Sequence, residues 1–155
     1  MDKFTLYLDA EYNGYQGQLI SLALVGFNRQ FYVALYMHED PDRWVYQHVL
    51  PVVEIPPSTL VSARLALERF LSQFGAVEIV VDWPEDIAYF CNFITSGPGE
   101  RIKTPKLYFR VTQGLADTKD ISLIPHNALE DAKALMKAEI NGLKKNSENI
   151  PQIDS

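Results

Sequence analysis

Three apolar runs crowd into the first 36 residues: Phe4–Ala10, Leu19–Val25 and Phe31–Tyr36. The links between them are too short to hold a helix, so the backbone of each run must find its partners in the next. Runs of this kind joined by short turns form antiparallel strands. The first run alternates loosely and is rich in aromatic and β-branched residues. The second, Leu-Ile-Ser-Leu-Ala-Leu-Val, is nearly continuous in apolar side chains, and Gly14 and Gly17 mark the turn before it. The chain therefore opens as a three-strand meander.

Beyond it the periodicity changes. Ser58 is a good N-cap, and Leu60, Val61, Leu65, Leu67, Phe70, Leu71 and Phe74 keep helical spacing up to Gly75. Val77–Val81 is a β-branched run of the central-strand type. Pro84 suits a helix start, and a second helix is predicted over about Asp86 to Thr95, ended by Gly97-Pro98-Gly99. Leu107–Val111 is predicted as a strand, and Ala128–Lys144 as the last helix. His38 to Pro57, broken by Pro41, Pro51, Pro56 and Pro57, resists assignment. The expected class is α/β, a mixed central sheet with an antiparallel three-strand start, flanked by helices. One domain is expected over residues 1–145, with a mobile polar tail over 146–155.

Composition narrows the partners. The chain has 155 residues, is 47% hydrophobic and holds one cysteine, Cys91. It can bury a core without a disulfide, and one cysteine permits no internal bridge. No signal peptide and no apolar stretch of membrane-spanning length is present, so a soluble, cytoplasmic chain with no membrane partner is expected. The formal net charge of −6 counts against a broad phosphate-gripping surface. It is compatible with carboxylates gathered around cations.

Three clusters can carry chemistry. Asp9-Ala10-Glu11 ends the first strand, and residues i and i+2 share one face. Two acids on one face beside apolar sequence are costly without a positive partner, and an all-oxygen ligand set favours magnesium or manganese. The ordinary reading is two solvated acids at a strand end. Asp82-Trp83-Pro84-Glu85-Asp86 joins the central strand to a helix, the edge where sites gather in α/β folds. Asp86 can also be a plain helix-start acid. His126-Asn127-Ala128-Leu129-Glu130-Asp131 opens the last helix, placing Asp131 about one turn beyond His126. A neutral histidine beside a reactive water is a sound general base, though His126 can equally be a residue that leads into a helix.

The conjunction matters more than any member. D-x-E on the first strand, an acid after a later central strand, and H-x-x-x-x-D near the end occur in that order. This pattern resembles the DEDDh 3′→5′ exonucleases, the superfamily of RNase T and oligoribonuclease. Leu8-Asp9-Ala10-Glu11-Tyr12-Asn13-Gly14 with Leu19–Val25, and His126-Asn127-Ala128-Leu129-Glu130-Asp131-Ala132, look like the opening and closing motifs of small bacterial and phage exoribonuclease-like proteins. The likeness spans about Phe4 to Lys144. Ala10 stands where threonine is common, and Glu85 where an aromatic or apolar residue is usual.

The resemblance implies an RNase H-like fold and a two-metal hydrolysis of phosphodiester bonds in single-stranded nucleic acid. RNA is favoured over DNA, and nucleoside 5′-monophosphates are the product. It implies two Mg²⁺ or Mn²⁺ held by Asp9, Glu11, Asp86 and Asp131, with His126 as general base and Asp82 as a supporting or alternative residue in the middle motif. Tyr12 is a candidate surface for the terminal base, Leu19 or Ile20 a wedge between bases, and Lys103, Lys106 and Arg110 are candidates for phosphate contact. Related small enzymes are often homodimers, and Trp44–Ile55 is a candidate interface. The non-catalytic alternative is a domain of the same fold that binds nucleic acid or a protein without cutting. His38 and His48 are expected at the surface, and Cys91 is expected to be buried.

Overall fold

The structure, a computed structural model, describes residues 2–112 and 121–148. It is a mixed α/β fold whose five-stranded sheet runs in the order β3-β2-β1-β4-β7. The strands are β1 (Phe4–Tyr12), β2 (Leu19–Gly26), β3 (Arg29–Ala34), β4 (Ala76–Val81) and β7 (Lys106–Val111). As expected, β1, β2 and β3 form an antiparallel meander. β4 then pairs parallel with β1, and β7 parallel with β4. Between them β5 (Thr95–Gly97) and β6 (Glu100–Arg101) make a small hairpin, so Gly97-Pro98-Gly99 turns a hairpin rather than simply ending a helix.

The helices are α1 (Arg43–His48), α2 (Leu60–Leu71), α3 (Pro84–Ile94) and α4 (Ala128–Glu148), with a 3-10 turn at Leu50–Val52. The proline-broken stretch thus holds α1 and that turn. α2 starts one residue later than expected, because Thr59, not Ser58, accepts the Ser62 N–H as N-cap; Ser58 instead bridges to Leu35 in the manner of a strand. α3 starts at Pro84, two residues before Asp86. α4 runs past Lys144, and the expected tail lies outside the described residues from 149 onward. No helix among the described residues is long and apolar enough to cross a membrane.

The period of two sorts the sheet into faces. Leu6 and Leu8 of β1, with Leu22 and Leu24 of β2, pack against Leu67 and Leu71 of α2 and Phe90 and Phe93 of α3. Tyr7 of β1 and Ala23 and Val25 of β2 face the other way, toward Ala128, Ala132 and Leu135 of α4. Ala23, Ala128 and Ala132 are all fully buried. Such small side chains let α4 approach the sheet closely, which brings the first turn of that helix down to β1. Ala132→Leu overpacks this contact; a loss of roughly 1–3 kcal/mol is expected, read as a lowered Tm in thermal unfolding.

Candidate functional site

Strand pairing sets up the first acids. β1 and β4 stay in register only to Tyr7↔Val80, while β1 continues beside β2 to Tyr12. Asp9 and Glu11 follow Tyr7 by two and four residues, so both share its face, toward α4. A bulge between Glu11 and Tyr12 ends the regular ladder. Asp82 is the first residue beyond β4, and Asp86 lies in the first turn of α3, where the helix N-terminus favours an anion. Past the end of β4 the Ala10 amide hydrogen-bonds the Asp86 carboxylate. Asp86 therefore does stand as a helix-start acid, but buried and turned toward Asp9 rather than solvated.

Asn127 fixes the third cluster. Its Oδ1 accepts the Glu130 N–H at 3.0 Å, capping α4. Its Nδ2 donates to the Val52 carbonyl at 2.8 Å, tying the helix start to the 3-10 turn. His126 stands just before this cap in the left-handed region, φ 71°, a conformation that costs a residue with a Cβ and persists when the surroundings enforce it. Its N–H donates to Asp131 Oδ2 at 3.1 Å. Its ring meets the Trp44 ring edge-on, centroids 4.9 Å apart.

The three sequence clusters converge as two interleaved groups. Ligating atoms of Glu11, His126 and Asp131 lie within 4.8 Å of one another, and so do those of Asp9, Asp82 and Asp86. All six residues line one cleft of about 660 Å³. Either group could hold a metal ion. The two alternatives for the middle motif, Asp82 and Asp86, stand in the same group.

Burial makes this arrangement costly as it stands. Asp9 Oδ2 and Asp131 Oδ1 are buried with no hydrogen-bond donor among the described residues. Burial, then the charges of Glu11, Asp86, Asp131 and Asp82, hold the Asp9 carboxyl well above the usual carboxylate range. Glu11 is pushed up to about 8 by burial and by Asp131 and Asp86, and Asp86 to about 8 by burial and by Asp82. Asp131 is also raised, chiefly by burial. Buried carboxylates without counter-ions are what divalent cations relieve, and the orphaned oxygens of Asp9 and Asp131 fit such ions. The donor set is oxygen with one imidazole, suited to Mg²⁺ or Mn²⁺.

The other candidates divide. Tyr12 lines the cleft, with its hydroxyl donating to Glu85 at 3.0 Å and its ring stacked on Tyr89. Ile20 does not reach it: it is buried against Val45 and Val49 because β2 turns that side chain into a core cluster, which rules out a wedge. Leu19 lines a neighbouring recess instead. Lys103, Lys106 and Arg110 are not among the cleft-lining residues, and Arg110 is engaged by Glu78 and Glu139. His38 and His48 are exposed, as expected, and Cys91 is half-buried against the core rather than fully enclosed.

Several lining residues escaped the sequence reading. Tyr15, Trp44 and Trp83 line the acidic cleft and are strongly exposed, at 83%, 49% and 59%. Tyr15 had a detectable signal, an aromatic set inside a glycine-flanked turn. Trp44 had none, since its place beside His126 depends on packing between segments 82 residues apart. Gly17 closes that turn so tightly that a Cβ would fall 1.7 Å from the Asn13 carbonyl oxygen, which glycine alone accepts.

No protein-family model matches this chain, and no curated protein matches it.

Proposed function

We propose that this chain is a metal-dependent 3′→5′ exonuclease of the DEDDh kind, built on an RNase H-like fold and acting on single-stranded nucleic acid, RNA in preference to DNA. The observation that carries the reading is the meeting of two acid groups in one cleft, each with a buried carboxylate oxygen lacking a donor among the described residues. The 3′→5′ direction is what the resemblance of the motif order to the DEDDh exonucleases implies, and the five-stranded mixed sheet with its flanking helices is compatible with such a fold.

Asp9, Asp82 and Asp86 would hold one cation, and Glu11 and Asp131 the other. When bound, such ions supply charge neutralisation at the scissile phosphate and at its leaving oxygen. His126 takes the proton of the attacking water at an imidazole nitrogen. The Asp131 carboxylate holds the His126 backbone N–H, and the Trp44 ring packs against the imidazole in a T-shaped contact. Exposed Tyr15, Trp44 and Trp83 offer π faces on which unpaired bases stack, a contact worth about 1–3 kcal/mol per base.

His126→Ala separates two roles. As a base, its loss lowers kcat by roughly 10²–10⁴-fold while Mn²⁺ affinity in calorimetry changes little. Loss of Mn²⁺ affinity instead would make it a ligand. The reading as a whole is tested by incubating 5′-labelled single-stranded RNA and DNA with Mn²⁺, Mg²⁺ or EDTA. A ladder shortening from the 3′ end with metal, and none in EDTA, is expected. Intact strands under every metal condition would overturn it.

A further inference from the structure

Beside the acidic cleft lies a larger recess of about 780 Å³, bounded by α2, α3 and the turn that ends at Gly17. Glu85 lines both. The partition is one aromatic pair thick: Tyr12 on the cleft side stacks on Tyr89 on the recess side, centroids 4.2 Å apart and planes 16° from parallel. The Tyr12 hydroxyl donates to Glu85 at 3.0 Å, and the Tyr89 hydroxyl to the Gly17 carbonyl at 2.5 Å. The two spaces meet at Glu85, so a strand seated in the cleft has the recess as its neighbour.

Charge decides how such a strand lies. No lysine or arginine is among the residues lining the cleft. Arg64 is the one such residue lining the recess among those described, and its Nε and Nη2 already donate to the Phe93 and Thr95 carbonyls at 2.8 and 2.9 Å. Glu39 also lines it, its carboxyl held below the usual range by the Asn13 side chain and the Gln18 N–H. Backbone phosphates therefore find no ladder of cations here and an ionised acid besides. Leu19, Leu35, Leu60 and Ala88 offer apolar surface of the kind that accepts base faces.

We infer that this recess, whose volume lies in the range of ligand pockets, is the subsite for nucleobases lying 5′ to the scissile bond, with their phosphates turned to solvent. The inference rests on the nuclease reading above and adds how the strand is held: by metals at one end and by base faces along the rest. Two consequences are measurable. Preference for longer strands depends on the recess, and it depends little on salt, because log K falls by only about 0.7 per phosphate neutralised on a single strand per decade of salt.

Ala88→Glu tests it. The position is exposed on α3, and glutamate is a good helix former, while its charge and bulk enter the recess. The expected result is a ratio of kcat/KM for an octaribonucleotide over a dinucleotide that falls about tenfold in the variant, through KM, equivalent to about 1.4 kcal/mol. For the wild type, KM for the octanucleotide should rise less than about threefold between roughly 50 and 200 mM salt. In parallel, anisotropy of a labelled octanucleotide in Ca²⁺ should show weaker binding by the variant. An unchanged ratio and unchanged anisotropy overturn the subsite and leave the nuclease standing. Cleavage of neither substrate by the wild type, with anisotropy lost in Ala88→Glu, keeps the recess as a nucleobase-binding site and overturns its place 5′ to a scissile bond together with the nuclease. A wild-type dimer that Ala88→Glu turns into a monomer in sedimentation assigns the recess to a second copy and overturns the subsite.

Discussion

Asp9→Asn is expected to cripple strand cleavage, lowering kcat at saturating Mn²⁺ by roughly 10²–10³-fold, because the charge that holds a cation at the scissile phosphate is lost. Asp9 is the hinge of the arrangement. It sits in one group with Asp82 and Asp86, and its carboxyl feels the charges of Glu11 and Asp131 from the other. Asparagine keeps the shape and removes the charge, so the fold should survive. Steady-state rates on labelled RNA beside thermal unfolding of the apo protein check both halves. A variant retaining turnover within about tenfold, about 1.4 kcal/mol, would remove Asp9 from the site.

The metal-free protein should lose stability as pH rises from about 5 to 8, and Mn²⁺ should restore it. The sign follows from the direction of the shifts. Glu11 and Asp86 titrate near 8 in the folded chain, far above their ordinary ranges, and Asp9 and Asp131 are raised as well. Below the unfolded values both states are protonated and the full stability is present. Between those values and about 8 the unfolded chain has released protons that the folded one still holds, so stability falls with rising pH. Glu39 and Glu78, whose carboxyls are lowered, act in the opposite direction but only at more acid pH. A fall of about 2 kcal/mol or more, some 4–8 °C in Tm for a chain of this length, is expected without metal. It should shrink in Asp9→Asn and vanish with saturating Mn²⁺. A flat apo profile over this range would contradict the burial of the cluster.

Local patterning made the elements legible. The three crowded runs could only pair with each other, and Val77–Val81 could only be a buried strand, so the α/β class followed from residue types alone. The face of Asp9 and Glu11 followed from the period of two. What could not be read was distance. That β4 would pair parallel with β1, and that this pairing would end at Val80 while β1 runs on beside β2, is a property of the assembled sheet. Ile20 illustrates the limit: in a run apolar on both faces, nothing local says which side chain meets a cleft and which meets Val45 and Val49. The segment around Trp44 was opaque for the opposite reason, since prolines hid a short helix whose value lies in reaching His126.

The most direct test of the two-group assignment is a calorimetric titration of the metal-free protein with Mn²⁺ at pH 8, beside Asp86→Asn and Asp131→Asn. Two bound ions per chain are expected in the wild type, with fewer than two in each variant, because each substitution removes a carboxylate charge from a different group. A wild-type chain that binds no Mn²⁺, or variants that bind as the wild type does, would contradict the assignment of these acids as a metal centre.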